Sequence, residues 1–125
     1  MTVADTSYLV EAILRDASLL EDQTFIAPDL ALYEVVNVIW KHETIIRDLK
    51  DAPSLVAAFL ALISAETIQL LRPDEKLLKH SYSLSVKHGV TVYDSIFIAL
   101  ALELGSELKT FDDRQQSIFL KEIKR

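Results

Sequence analysis

Hydrophobic and polar positions along this chain switch repeatedly between a strand-like and a helix-like spacing. "MTVA" is a short apolar-leaning run ending at Asp5, and it predicts a first strand. In "SYLVEAILRDA", Leu9, Ile13 and Leu14, with Val10 beside them, share one helical side. "TFIAP" is β-branched and aromatic, is stopped by Pro28, and predicts a second strand. Pro28 and Asp29 suit a helix opening, because proline is tolerated in the first turn and an acid favours the dipole there. The helix that follows, "DLALYEVVNVIWKHE", is apolar on most sides and is expected to be largely buried.

"RDLKDAPS" is the clearest polar break, and "SLVAAFLALISAE" after it predicts another helix, antiparallel to the previous one. "TIQLLRP" predicts a third strand. "DEKLLKHSYSLSVKHG" has acids at its start, Lys87 and His88 in its last turn and Gly89 beyond, so both ends of a helix are marked. "TVYDSIFIALALELG" predicts the next helix, stopped by Gly105; "ELKTF" a fourth strand; "DRQQSIFLKEIKR" a final helix. The order β-α-β-α-α-β-α-α-β-α implies an α/β fold, with helices on both faces of a central parallel sheet of four to five strands. In such sheets ligands bind beyond the carboxyl ends of the strands, near the point where strand order reverses.

Composition narrows this further. The 125 residues suffice for one domain with a real core and are too few for two ordinary ones. Half of them are hydrophobic, with two glycines and three prolines, which is a packed composition. No uninterrupted apolar run, Ile96 to Leu102 included, is long enough to cross a bilayer, so no membrane association is expected. No basic segment precedes an apolar stretch at the N-terminus, so no signal peptide is expected. With no cysteine, disulfides and thiolate metal sites are excluded, a reducing cytosol is permitted, and the expected location is the cytoplasm. The net charge of −6 argues against broad electrostatic binding of nucleic acid. It is compatible with an enzyme that meets phosphate through a bound cation. Lys109, Arg114, Lys121, Lys124 and Arg125 crowd the C-terminal end, as a solvated helix face and tail or as local phosphate contacts.

Four acids occupy costly places. Asp5 follows the first strand, Asp112 the fourth, Asp94 lies in the first turn of a helix, and Glu34 interrupts an apolar helix with Asn37 on its face. Each also suits a purely structural role. Asp5 suits an N-cap, Thr91 and Asp94 suit a capping box, Asp112 suits an N-cap with Gln115 as partner, and Glu34 suits a polar gap in the apolar face. Taken together they suggest more. With the first strand central in a parallel sheet, Asp5 and Asp112 leave the same edge. Carboxylates crowded there repel unless a cation intervenes, and an all-oxygen donor set suits Mg2+ or Mn2+. His42, His80 and His88 are dispersed and are expected at helix surfaces or ends. Two glycines make no phosphate-cradling loop, and no nucleophile elbow is present.

"VADTSYLV", "APDLALYEVVNVIWK" and "VYDSIFIALALELGSELKTFDDRQ" resemble, in order and over nearly the whole chain, the motifs of PIN-domain nucleases. The nearest resemblance within them is to the VapC-type toxins of toxin–antitoxin pairs. The resemblance implies a single PIN-like domain over residues 1–125, a three-layer α/β/α sandwich. It implies an acidic metal site at Asp5, Glu34, Asp94 and Asp112, with Asp113 adjacent and able to substitute in part, and small polar residues at Thr6, Asn37 and Thr110 supporting it. The implied activity is metal-dependent endoribonuclease cleavage of a structured RNA at an accessible loop. Asp5 with Asp94 or Asp112 is expected in direct metal contact, and Glu34 to act through water. Lys109, Arg114 and Lys121 are expected along the RNA approach. The resemblance also implies an antitoxin partner and a homodimer. Leu32, Tyr33, Val36, Trp40, Leu55, Phe59 and Leu62 are expected mainly in the core, with some able to form a partner groove. The alternative is a non-catalytic PIN-like scaffold, for protein interaction or RNA binding, whose acids only cap helices.

Overall fold

A computed structural model describes residues 1–124; Arg125, counted above in the C-terminal basic cluster, lies outside the described residues. Four strands form one sheet: β1 (Thr2–Ala4), β2 (Phe25–Pro28), β3 (Ile68–Leu71) and β4 (Leu108–Lys109). The helices are α1 (Thr6–Leu14), α2 (Leu30–Lys41), α3 (Ala52–Ser64), α4 (Glu75–His88), α5 (Val92–Leu104) and α6 (Asp113–Ile123). A 3-10 turn at Ala17–Leu20 follows α1, and a wider π-type turn at His42–Ile46 extends α2. The expected alternation is present, though β4 has contracted to two residues.

All strand pairs are parallel, in the order β3-β2-β1-β4. The chain steps outward from β1 to β3, then crosses back to place β4 on the other side of β1. Strand order therefore reverses between β1 and β4. Right-handed crossovers force the connections of the two halves onto opposite faces. Accordingly α1, α2 and α3 pack on one another, α5 lies across β1, β2 and β4, and α4 and α6 flank α5.

The core is centred on α5, in which every residue from Ser95 to Ala101 is buried. It can be buried all round because α4 approaches it closely through two small residues. Ser81 and Ser95 are fully buried; the Ser95 hydroxyl donates to the Ser81 carbonyl at 2.7 Å, and the Ser81 hydroxyl to the Leu77 carbonyl at 2.7 Å. These bonds supply the partners that buried hydroxyls require.

The expected burial of α2 is not what the fold delivers. Only Ala31, Val35 and Ile39 are buried there, while Tyr33 is 70% and Trp40 53% exposed. A helix packed on one side of a sheet buries a single stripe, however apolar its other faces are. Of the seven apolar residues expected mainly in the core on this helical pair, Phe59 is buried, Leu32, Val36, Leu55 and Leu62 are half-buried, and Tyr33 and Trp40 face solvent. Among the described residues, no helix is long and apolar enough to cross a membrane.

Gly89 ends α4 in the left-handed region, at φ 66°, where its N–H caps the Ser85 carbonyl. A Cβ there would come no closer than 4.0 Å to Arg114 Nη2, so steric room is not the constraint. Gly89→Ala is expected to cost about 1–2 kcal/mol through backbone strain alone, read as a lowered denaturation midpoint with an unchanged slope.

Candidate active site

Beyond the carboxyl ends of β1 and β4, the Asp5 N–H donates to the Lys109 carbonyl at 3.1 Å and carries the pairing one residue past β1. This holds Asp5 at the sheet edge with only 2% of its surface exposed. Its carboxylate is nearly saturated. Oδ1 accepts from the Ser7 hydroxyl at 2.7 Å and the Tyr8 N–H at 3.0 Å, and Oδ2 accepts from the Thr110 hydroxyl. An ionised carboxylate has about four acceptor positions, so roughly one is left for another ligand. The N-cap role expected of Asp5 is filled by the bond from the Tyr8 N–H.

The β4–α6 turn is tied to this carboxylate. Thr110 Oγ1 also accepts the Asp112 N–H at 2.9 Å, and Ser7 Oγ accepts the Phe111 N–H at 2.9 Å. Asp112 caps α6 through the N–H groups of Arg114 and Gln115, at 2.9 and 3.1 Å. Its expected reciprocal partner fails, since Gln115 Oε1 is buried and without a hydrogen-bond partner. Asp113, one residue on, is exposed and lines a surface recess with Gln116, Ser117 and Lys121.

On the other side, Glu34 accepts the Thr6 hydroxyl at 2.7 Å, which joins the second turn of α2 to the start of α1. Asp94 lies half-buried in the first turn of α5, where its N–H reaches Thr91 Oγ1 at 3.3 Å. Only that half of the expected capping box is formed, so the Asp94 carboxylate is not committed to capping. Ser95, fixed against α4, holds the turn that carries it.

Electrostatics link the four acids into one group. Burial pushes the Asp5 carboxyl above its ordinary range, hydrogen bonds from Ser7, Thr110 and Tyr8 oppose this, and the charge of Asp112 adds to it. Burial likewise raises Glu34, the Thr6 hydroxyl opposes, and the charges of Asp94 and Asp5 add. The sequence Asp112–Asp5–Glu34–Asp94 is thus a chain of carboxylates, each repelling the next. Three helix N-termini, those of α1, α5 and α6, supply positive potential beside it. A hard cation suits this all-oxygen donor set and would relieve the repulsion. A finished coordination shell is not formed, because among the described residues no three His, Asp or Glu side chains are grouped closely enough to hold a metal ion.

The other sequence expectations divide. Thr6 and Thr110 each donate to a site carboxylate, as described. Asn37 is exposed and lines a surface recess with Leu32, Tyr33, Val36 and Trp40, and the hydrogen bond to Glu34 comes from Thr6. The histidines stand apart, bonded to Asp48, Glu103 and Glu122 respectively. Lys109 pairs with Glu107 at 3.4 Å, and Arg114 Nη2 caps the His88 and Gly89 carbonyls at 3.2 and 3.3 Å. Lys121 lies on the exposed face of α6. Ser7 escaped the sequence reading, although it bonds both Asp5 and the Phe111 N–H. The available signal was its place two residues after an N-cap acid, where a hydroxyl can reach back to the carboxylate.

This chain is similar to known proteins in sequence and in fold. Ribonuclease VapC3 of Pyrobaculum aerophilum is 36% identical over 86 residues, a stretch covering 67% of this chain. The match spans 63% of the length of that curated relative. The crystal structure of PAE2754 from Pyrobaculum aerophilum superimposes with a TM-score of 0.75 at 17% identity, covering 99% of this chain and 96% of the other, and so shares its fold. The PIN domain family matches residues 2–119. With that match over almost its full length, this chain belongs to the PIN-domain family.

Proposed function

We propose that this protein is a metal-dependent endoribonuclease of the VapC type, hydrolysing RNA phosphodiester bonds in the cytoplasm. The observation that carries the reading is the repelling chain of carboxylates, whose members come from four separate elements. Such a grouping costs stability, and groups perturbed in this way cluster at functional sites. The identity with a protein named as a ribonuclease supports the same reading.

In this reading Asp5, Glu34, Asp94 and Asp112 hold Mg2+ or Mn2+. The cation, when bound, supplies the acidity that makes water a nucleophile and the charge that offsets the developing phosphorane. Asp5 is the fixed member, because both its oxygens are held by hydroxyl and amide donors. Glu34 accepts a side-chain hydrogen bond from Thr6 alone among the described residues, which leaves it able to orient the attacking water. Thr6, Ser7 and Thr110 keep the carboxylates in position, with Asn37 and Asp113 in outer supporting places. Lys109, Arg114 and Lys121 line the approach of an accessible RNA strand, a contact that an overall acidic protein confines to one side. The resemblance to VapC-type toxins leads us to propose a cognate antitoxin as partner. Its amphipathic segment would lie on the apolar recesses around Val36, Trp40 and Val56, and the functional unit would be a homodimer.

A scaffold reading draws on the capping bonds of Asp5 and Asp112 and on the unclosed ligand set. Activity of a folded variant separates the two. Asp94→Asn removes a carboxylate charge that caps nothing. It is expected to lower metal-dependent RNA cleavage by more than about 100-fold, beyond what loss of a supporting hydrogen bond gives, with an unchanged circular dichroism spectrum. Undiminished cleavage in preparations free of contaminating nuclease would sink the metal-site assignment.

Thr6→Val removes the one side-chain donor to Glu34 among the described residues and should weaken Mn2+ binding by calorimetry about 10- to 100-fold. Equal affinity would remove Thr6 from the site. The raised carboxyls also make a metal-free prediction. A carboxyl raised in the folded chain binds protons more tightly folded than unfolded. Its contribution is complete below the unfolded value, 4.5 for glutamate, and is lost as pH rises through the raised folded value. In EDTA, Glu34→Gln should therefore raise Tm by a few degrees at neutral pH, with the gain vanishing below pH 4.5. A neutral-pH loss of stability would show that Glu34 is not electrostatically strained.

A further inference from the structure

Phe111 is the residue between Thr110, which holds Asp5, and Asp112, and it is 56% exposed. Isolated surface hydrophobics are ordinary, but this ring is pinned. One face stacks on Tyr8, with centroids 5.5 Å apart and planes 13° apart. Tyr8 is itself immobilised. It is 7% exposed, its hydroxyl donates to the Leu19 carbonyl at 2.8 Å, and its ring lies against Phe25 at 5.7 Å. The backbone beneath Phe111 is held as well, by its N–H bond to Ser7 Oγ. The stack is an offset one, so Tyr8 backs part of one face and the rest of the ring stays open. The result is a rigid aromatic surface, open to solvent, one residue from a site carboxylate.

We propose that Phe111, backed by Tyr8, is a stacking platform for a nucleobase of single-stranded RNA next to the bond that is cut. This deepens the ribonuclease reading above and rests on it. A net charge of −6 deprives this protein of the long-range attraction that most nucleic-acid binders use. Stacking supplies affinity without positive charge, and it accepts any base because every base offers a π face. The platform also sets register. A base held on a ring that is fixed to the Asp5–Thr110–Asp112 turn places its own phosphate beside those acids. Pre-stacking on Tyr8 means the ring loses little freedom when a base arrives. Binding should therefore favour unpaired nucleotides, because a base inside a duplex cannot reach the ring without leaving its stack.

The test uses the full chain and a short unstructured oligoribonucleotide with 2-aminopurine at successive positions. Phe111→Leu is expected to raise KM roughly 5- to 150-fold, the range for losing one stacked base, with kcat changed far less. Phe111→Tyr is expected to restore the wild-type value. 2-Aminopurine at the nucleotide flanking the cut should be quenched on binding the wild-type protein and not on binding Phe111→Leu. An abasic nucleotide there should weaken the wild-type protein and leave Phe111→Leu unaffected. If wild type cleaves the oligonucleotide and Phe111→Leu matches it in KM and quenching, the platform is wrong and the ribonuclease reading stands. If wild type neither cleaves nor quenches, while an unrelated ribonuclease cleaves the same preparation, both fail. If Phe111→Tyr does not rescue, or Phe111→Leu loses kcat as much as KM, the ring acts only by supporting the turn, and the platform is overturned.

Discussion

The buried Asp5 carboxylate is the constraint around which this fold is organised. It lies at the end of the central strand, out of contact with water, where an uncompensated charge would be prohibitively costly. Three donors offset that cost: an amide from α1, a hydroxyl from α1 and a hydroxyl from the turn after β4. They come from residues more than a hundred positions apart, so satisfying one charge fixes the relation between the two ends of the domain. The same donors limit how much of the carboxylate is left for a ligand.

From Asp5 the influence spreads in two directions. Through Thr110 and Ser7 it reaches the β4–α6 turn, and with it Asp112 and Phe111. Along α1 it reaches Thr6 and through it Glu34. Asp94 arrives independently, held by the close packing of α5 on α4 across Ser81 and Ser95. Hydroxyl groups make most of these links. They are small enough to sit between backbone and carboxylate and supply donors without adding charge, so the acids remain mutually repelling and receptive to a cation.

This division reconciles the acidic overall charge with the phosphate chemistry proposed above. Four of the nineteen acidic residues form the repelling chain, and the helix N-termini beside them add positive potential without basic side chains. Arg114 illustrates how sparingly cationic groups are used. Part of its guanidinium caps the end of α4 and fastens that helix to the start of α6.

Much of this was legible in the sequence, because period, caps and breaks are local. Strand-to-helix alternation, the left-handed glycine after α4 and the candidate acids all follow from residue type and spacing. The family motifs are legible for the same reason. What local pattern leaves open is which apolar residues the neighbouring elements cover. Tyr33 and Trp40 look like core residues on an apolar helix and are surface residues in the fold, since α2 has one layer to pack against. Local pattern likewise leaves open whether an acid caps a helix, joins a site, or does both. The three-dimensional arrangement shows Asp5 capping α1 while also bonded by Thr110, and Asp112 capping α6 while Asp113 lines a surface recess. Residue chemistry is written one position at a time. Repulsion between charges depends on distance, and distance exists only once the sheet has paired β1 with β4.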